Sequence, residues 1–158
     1  MVDFKDLVGG AKNKMSLGKI GRGVDDRSFY LPKQQTTVIA PFYSTSPQVV
    51  HELGHALESS NPAVGNAVRD FYKKRTLGLR AEKMADILPN DGYAAKELTK
   101  RDGFWKPYTG KVYSDGSTEV LSMGLQHMYQ TPIEFAAADP EHFEFIMTIL
   151  RNLRKGTY

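Results

Sequence analysis

The chain has 158 residues, 41% of them apolar and 25% charged, a balance that suits one domain with a buried core and excludes a disordered chain. It contains no cysteine, which excludes disulfides and any thiolate-ligated metal, so a metal site here would have to use histidine and carboxylate. The net charge of +3, with a pI near 9.0, is too mild to point to nucleic acid.

No apolar run reaches the roughly 18 residues of a membrane span, so no membrane partner is expected. The first 23 residues are rich in Gly and Lys and lack the apolar stretch of a secretory signal. They read as a loosely ordered lead-in holding at most a short helix, ahead of a single domain over residues 24–158. The basic clusters Lys73-Lys74-Arg75 and Arg151 to Lys155 read as solvated helix ends.

The runs Arg27 to Leu31 and Thr36 to Ala40 mix β-branched and aromatic residues between Pro and Gln and predict two strands. Next comes "STSPQVVHELGHALESS", which reads as a helix with Ser46 as its cap and Pro47 in the first turn. Val50, Leu53 and Leu57 recur at helical spacing and make its core face. Asn61-Pro62 ends that helix or begins the next, "PAVGNAVRDFYKKRTL". Residues 76–117 are the least regular. They predict a helix over Arg80 to Ile87, then a long loop or short hairpin rich in turn residues. A further helix follows in "STEVLSMGLQHMYQ", capped by Ser117 or Thr118. The last, "DPEHFEFIMTILRNLRKG", is capped by Asp139 and stopped by Gly156, with Phe143, Ile146, Met147, Leu150 and Leu153 as its buried stripe. A few strands followed by mostly helices predicts an α+β fold.

The chemistry sits in "HELGH". Residues four apart share a helix face, so His51 and His55 can offer two imidazole nitrogens to one ion. Glu52 is turned by roughly 100° from His51 and suits a general base acting on water better than a third ligand. Gly54 is expected to leave room beside the metal. Candidates for the third ligand lie downstream: Glu119, His127, Glu134, Asp139 and His142. Asp139 is better explained as a cap, His142 lies in a first helical turn, and Glu134 follows Pro132 in a connecting segment without a helical frame. Glu119, at the start of its helix, is best placed to project from a rigid element. The strand at residue 36 would line the cleft and pair with an extended substrate along its edge. Trp105, Tyr108 and Tyr113 would form the other wall.

"HELGH" followed by "STEVLSMG" resembles the gluzincin metallopeptidases. More narrowly, it is similar to the small zincin-like domains of phage and prophage head-morphogenesis proteins, and more distantly to the catalytic domain of anthrax lethal factor. The resemblance implies a zincin-like fold with Zn2+ held by His51, His55 and Glu119, and Glu52 as the base. It also implies an oxyanion-supporting tyrosine shortly before the ligand glutamate, here Tyr113, with Tyr108 as the alternative. Where many gluzincins carry an acidic residue that buttresses a histidine, this chain has Met123, so support must come from Asp115, Gln126 or a backbone carbonyl. The implied activity is zinc endopeptidase on a protein or peptide substrate. The implied setting is the bacterial host cytoplasm or the virion, with phage structural proteins as partners. The competing reading is a catalytically weak zincin-like domain that serves structure or protein interaction.

Overall fold

A computed structural model describes residues 19–23, 28–40 and 45–158. The short helix expected within residues 1–18 lies outside these, as does Arg27, the expected start of the first strand. The architecture is α+β, with a small sheet and six helices among the described residues. No described helix is long and apolar enough to cross a membrane. The chain divides into two compact units, residues 1–65 with 121–158, and residues 66–120.

The first unit holds a three-stranded sheet. Strand β1 (Lys19–Arg22), at the end of the segment read as a lead-in, runs parallel to β3 (Thr36–Ile39). Strand β2 (Phe29–Leu31) pairs antiparallel with the other side of β3, in the register Phe29↔Val38 and Tyr30↔Thr37. The β2–β3 connection is tight. A 3₁₀ turn over Pro32–Gln34 leads to Gln35, which sits in the left-handed region at φ 46°. Because β3 is central, neither of its edges is free, which overturns the expectation that a substrate strand pairs along it.

Helix α1 (Ser46–Ser60) packs on β2 and β3. Its cap is Thr45, one residue earlier than expected; the Thr45 N–H donates to Gln48 Oε1 at 2.8 Å. A side chain that reaches back from the third helical position out-competes Ser46, which becomes the first helical residue. Val50, Leu53 and Leu57 are buried as the spacing required, and Ala56 joins them. Full burial of a residue such as Leu57 is worth about 1.5–3 kcal/mol. Asn61 both closes α1, through its N–H to Leu57 O, and opens α2 (Pro62–Arg75), where its Oδ1 accepts from the N–H groups of Ala63 and Val64.

The first unit also contains α4 (Val120–Gln130) from residue 121, α5 (Pro132–Ala138) and α6 (Pro140–Lys155). Helix α5 occupies the stretch expected to be a connection, so Glu134 does have a helical frame, though an exposed one. Helix α6 follows the expected punctuation: Asp139 Oδ1 accepts from His142 N at 3.2 Å, and Gly156 ends the helix at φ 73°. Its buried residues are His142, Ile146, Ile149, Leu150 and Leu153, so the stripe is turned by part of a turn from the one expected.

The second unit begins on α2 and contains β4 (Glu82–Lys83), the single-turn helix α3 (Met84–Ile87) and β5 (Leu98–Thr99). Strands β4 and β5 pair antiparallel, so the expected longer helix is a strand followed by one helical turn. The remaining loop is held from below by α2. Tyr72 stacks on Phe104, and its hydroxyl donates to the carbonyls of Gly110 (3.1 Å) and Lys111 (3.3 Å). Arg75 lies over the rings of Phe71 and Phe104 at 5.6 and 5.0 Å.

Candidate metal centre

His51 and His55 lie one turn apart on α1, with ring centroids 4.9 Å apart and the planes at 80°. That turn is fixed from outside the helix. Gly54, between them, presents its bare Cα to α4, where an added Cβ would stand 2.7 Å from Ser122 Cα and 3.1 Å from Ser122 N. Its glycine therefore serves the approach of two helix backbones, not space beside an ion as expected. Glu119 immediately precedes Val120, the first residue of α4. Thr118 Oγ1 accepts the Val120 N–H at 3.4 Å, which steadies this entry.

His51, His55 and Glu119 each offer a ligand atom, and these atoms all lie within 4.8 Å of one another. Of the five candidates for third ligand, Glu119 is the one gathered with the pair. Glu134 is exposed on α5. Asp139 caps α6. His127 and His142 are buried beside Phe135, with ring centroids 5.4 and 5.0 Å from it. Glu52 is not part of the group of three; it is buried on α1 at 8% exposure. Both imidazoles are partly exposed, while Glu119 is 1% exposed.

The Glu119 carboxylate has company that the sequence placed only in part. The Tyr113 hydroxyl donates to Glu119 Oε1. Tyr108 comes within hydrogen-bond reach of both Tyr113 and Glu119. Burial pushes both phenols well above the ordinary tyrosine range, and the nearby Glu119 carboxylate adds to it, so at neutral pH both are donors. Trp105 lies under the Lys106 ammonium at 4.3 Å. The two side chains considered as substitutes for the missing buttress are also engaged: Asp115 Oδ1 accepts from Ser117 N at 3.0 Å, and Gln126 donates to Gln130 at 3.1 Å. The Ser117 hydrogen bonds hold the Asp115 carboxyl below its ordinary value. The residue sequence reasoning missed is Lys111, whose ammonium lies 5.1 Å from the ring centroids of both Tyr108 and Tyr113. Its position two and three residues from two tyrosines was the available signal.

Comparison with protein-family models, curated proteins and solved structures finds no match to this chain.

Proposed function

We propose that this chain is a zinc-dependent metallopeptidase of gluzincin type, acting as an endopeptidase on a protein or peptide substrate through a zincin-like fold. The observation that supports it best is the gathering of His51, His55 and Glu119 ligand atoms within 4.8 Å of one another. Two imidazoles and one carboxylate suit zinc and leave a coordination position open. They are too few oxygens for calcium or magnesium. When bound, zinc would polarise a peptide carbonyl and acidify a water, bringing its pKa toward about 7.

The chain's own residues supply the rest. Glu52 follows His51 directly and takes a proton from the attacking water, then returns it to the leaving nitrogen. Tyr113 is protonated at neutral pH and donates to the oxygen on which charge develops. In the resting chain that one hydroxyl hydrogen is donated to Glu119, so it would turn from ligand support to oxyanion support as the reaction proceeds. Phage structural proteins as partners, and the bacterial host cytoplasm or virion as the setting, follow from the resemblance of "HELGH" and "STEVLSMG" to head-morphogenesis domains alone.

A second reading is a phage structural or interaction domain in which the metal only ties the fold together. It is favoured by the near-complete burial of Glu119 and its engagement by Tyr113. The two readings part in one experiment: cleavage of a diverse peptide library by wild type and Glu52→Gln, with zinc quantified in the same samples. The peptidase reading expects hydrolysis to fall by about 10²–10⁴-fold in Glu52→Gln while zinc content is retained. Equal cleavage by the variant removes Glu52 as the base. A zinc-loaded wild type that cleaves nothing leaves the structural reading.

A further inference from the structure

We infer that Lys111, anchored by Glu97, is a positioning residue that fixes the Tyr108–Tyr113 pair on the Glu119 carboxylate. The Lys111 ammonium is 2.8 Å from Glu97 Oε2, and both side chains are largely buried. Glu97 is itself held in place, since its Oε1 accepts the Ala94 N–H at 2.9 Å. From there the ammonium faces both tyrosine rings at the same 5.1 Å, a distance at which a ring's negative face attracts a cation.

The backbone beneath is equally constrained. Lys111 N donates to Tyr108 O at 3.0 Å, Lys111 forms a bridge with Thr99, and Val112 N donates to Leu98 O at 2.9 Å. Gly110 has Lys100 O so close that a Cβ there would stand 2.5 Å from it. A lysine stem is flexible and carries a compact charge. With its Cα and its counter-ion both fixed, that freedom is removed. Each hydroxyl oxygen lies on its ring's long axis, so turning the ring plane alone does not move it; a cation that holds the ring centroid fixes the direction of that axis from the Cα, and with it where the hydroxyl lies. Both hydroxyls reach Glu119. The consequence for zinc affinity rests on the metal-site reading; the consequence for the tyrosine rings does not.

The test uses the full chain labelled with fluorotyrosine, with the Tyr108 and Tyr113 fluorine resonances assigned from Tyr108→Phe and Tyr113→Phe. In metal-free protein, Lys111→Met should move both resonances toward that of an exposed tyrosine and leave the other tyrosines in place. Lys111→Arg keeps a cation able to stack on both rings and should restore them. In titrations against a chromophoric chelator, Lys111→Met should bind zinc about tenfold more weakly, the lower end of what is lost when the groups supporting metal ligands are removed. Lys111→Arg should bind it nearly as wild type does. Folded Lys111→Met with unmoved Tyr108 and Tyr113 resonances overturns the assignment. If Lys111→Met does not fold, Glu97→Gln decides. It keeps the cation but loosens its anchor, so smaller shifts of the same two resonances are expected, and none overturns the assignment. If wild type binds no zinc, the metal-site reading fails and the fluorine spectra alone judge the clamp.

Discussion

The two stretches that supply the candidate ligands are built in opposite ways. The histidine turn of α1 is regular helix, and its geometry follows from spacing: four residues, one turn, one face. The segment from Tyr93 to Glu119 has almost no regular structure, only the two-residue strand β5 and two 3₁₀ turns, Arg101–Gly103 and Pro107–Gly110. Yet it carries the more elaborate chemistry, with a buried carboxylate, a phenol that donates to it, a second phenol close by and a lysine against both rings. A helix places side chains by local hydrogen bonds that any sequence of the right propensity can form. An irregular segment must be held by contacts distant in sequence, here from Tyr72 outside it and, across the segment itself, from Leu98 to Val112 and Thr99 to Lys111. Such segments commonly carry function on a scaffold built elsewhere.

If the two stretches are held by different means, one glycine in each should expose the difference. Gly54→Ala drives a Cβ against the Ser122 backbone, which cannot turn aside as a side chain would. Alanine gains roughly 0.5–1 kcal/mol of helix propensity over glycine. The overlap should still leave a net loss of about 1–3 kcal/mol, typical of overpacking. The histidine turn should then shift away from α4. Gly110→Ala meets the Lys100 carbonyl and should cost a similar amount, but with its effect on Tyr108 and Tyr113 instead. Chemical denaturation of both variants gives the losses, and ring resonances of the histidines and tyrosines show which stretch moved. A Gly54→Ala protein as stable as wild type would mean that the α1–α4 approach is looser than described.

A smaller effect is expected from Tyr113→Phe. It keeps the ring under Lys111 and removes only the hydroxyl that donates to Glu119. Zinc affinity should fall by about tenfold, as when the hydrogen-bond partner of a metal ligand is deleted. Chelator competition measures it. Unchanged affinity would separate Tyr113 from ligand support and leave the oxyanion as its only proposed task.

What could be read in the chain follows the same division. Helix α6 was legible because Asp139, Pro140 and Gly156 each act within a few residues of where they stand. The pairing of His51 with His55 was legible for the same reason. Helix α5 was not, because Pro132 reads equally as the first turn of a helix or as part of a connection, and burial of Phe135 between neighbours decides it. The shift of the α1 cap to Thr45 depended on how far back the Gln48 side chain reaches, which pattern alone does not decide between the adjacent Thr45 and Ser46. Gly54 was assigned a role beside the metal because only the local turn was in view, while its real neighbour is Ser122, far along the chain. Glu119 was found by its place before an apolar helix, but Lys111 was missed because a cation between two tyrosine rings exists only once the loop has folded.

The central claim is that His51, His55 and Glu119 act as one metal site. Zinc content measured by elemental analysis, for wild type and Glu119→Ala after dialysis against a mild chelator, tests it most directly. The account predicts one zinc per chain in wild type and a large loss of zinc in a folded Glu119→Ala, because one of three ligands has gone. A folded Glu119→Ala that keeps its zinc as fully as wild type would contradict it.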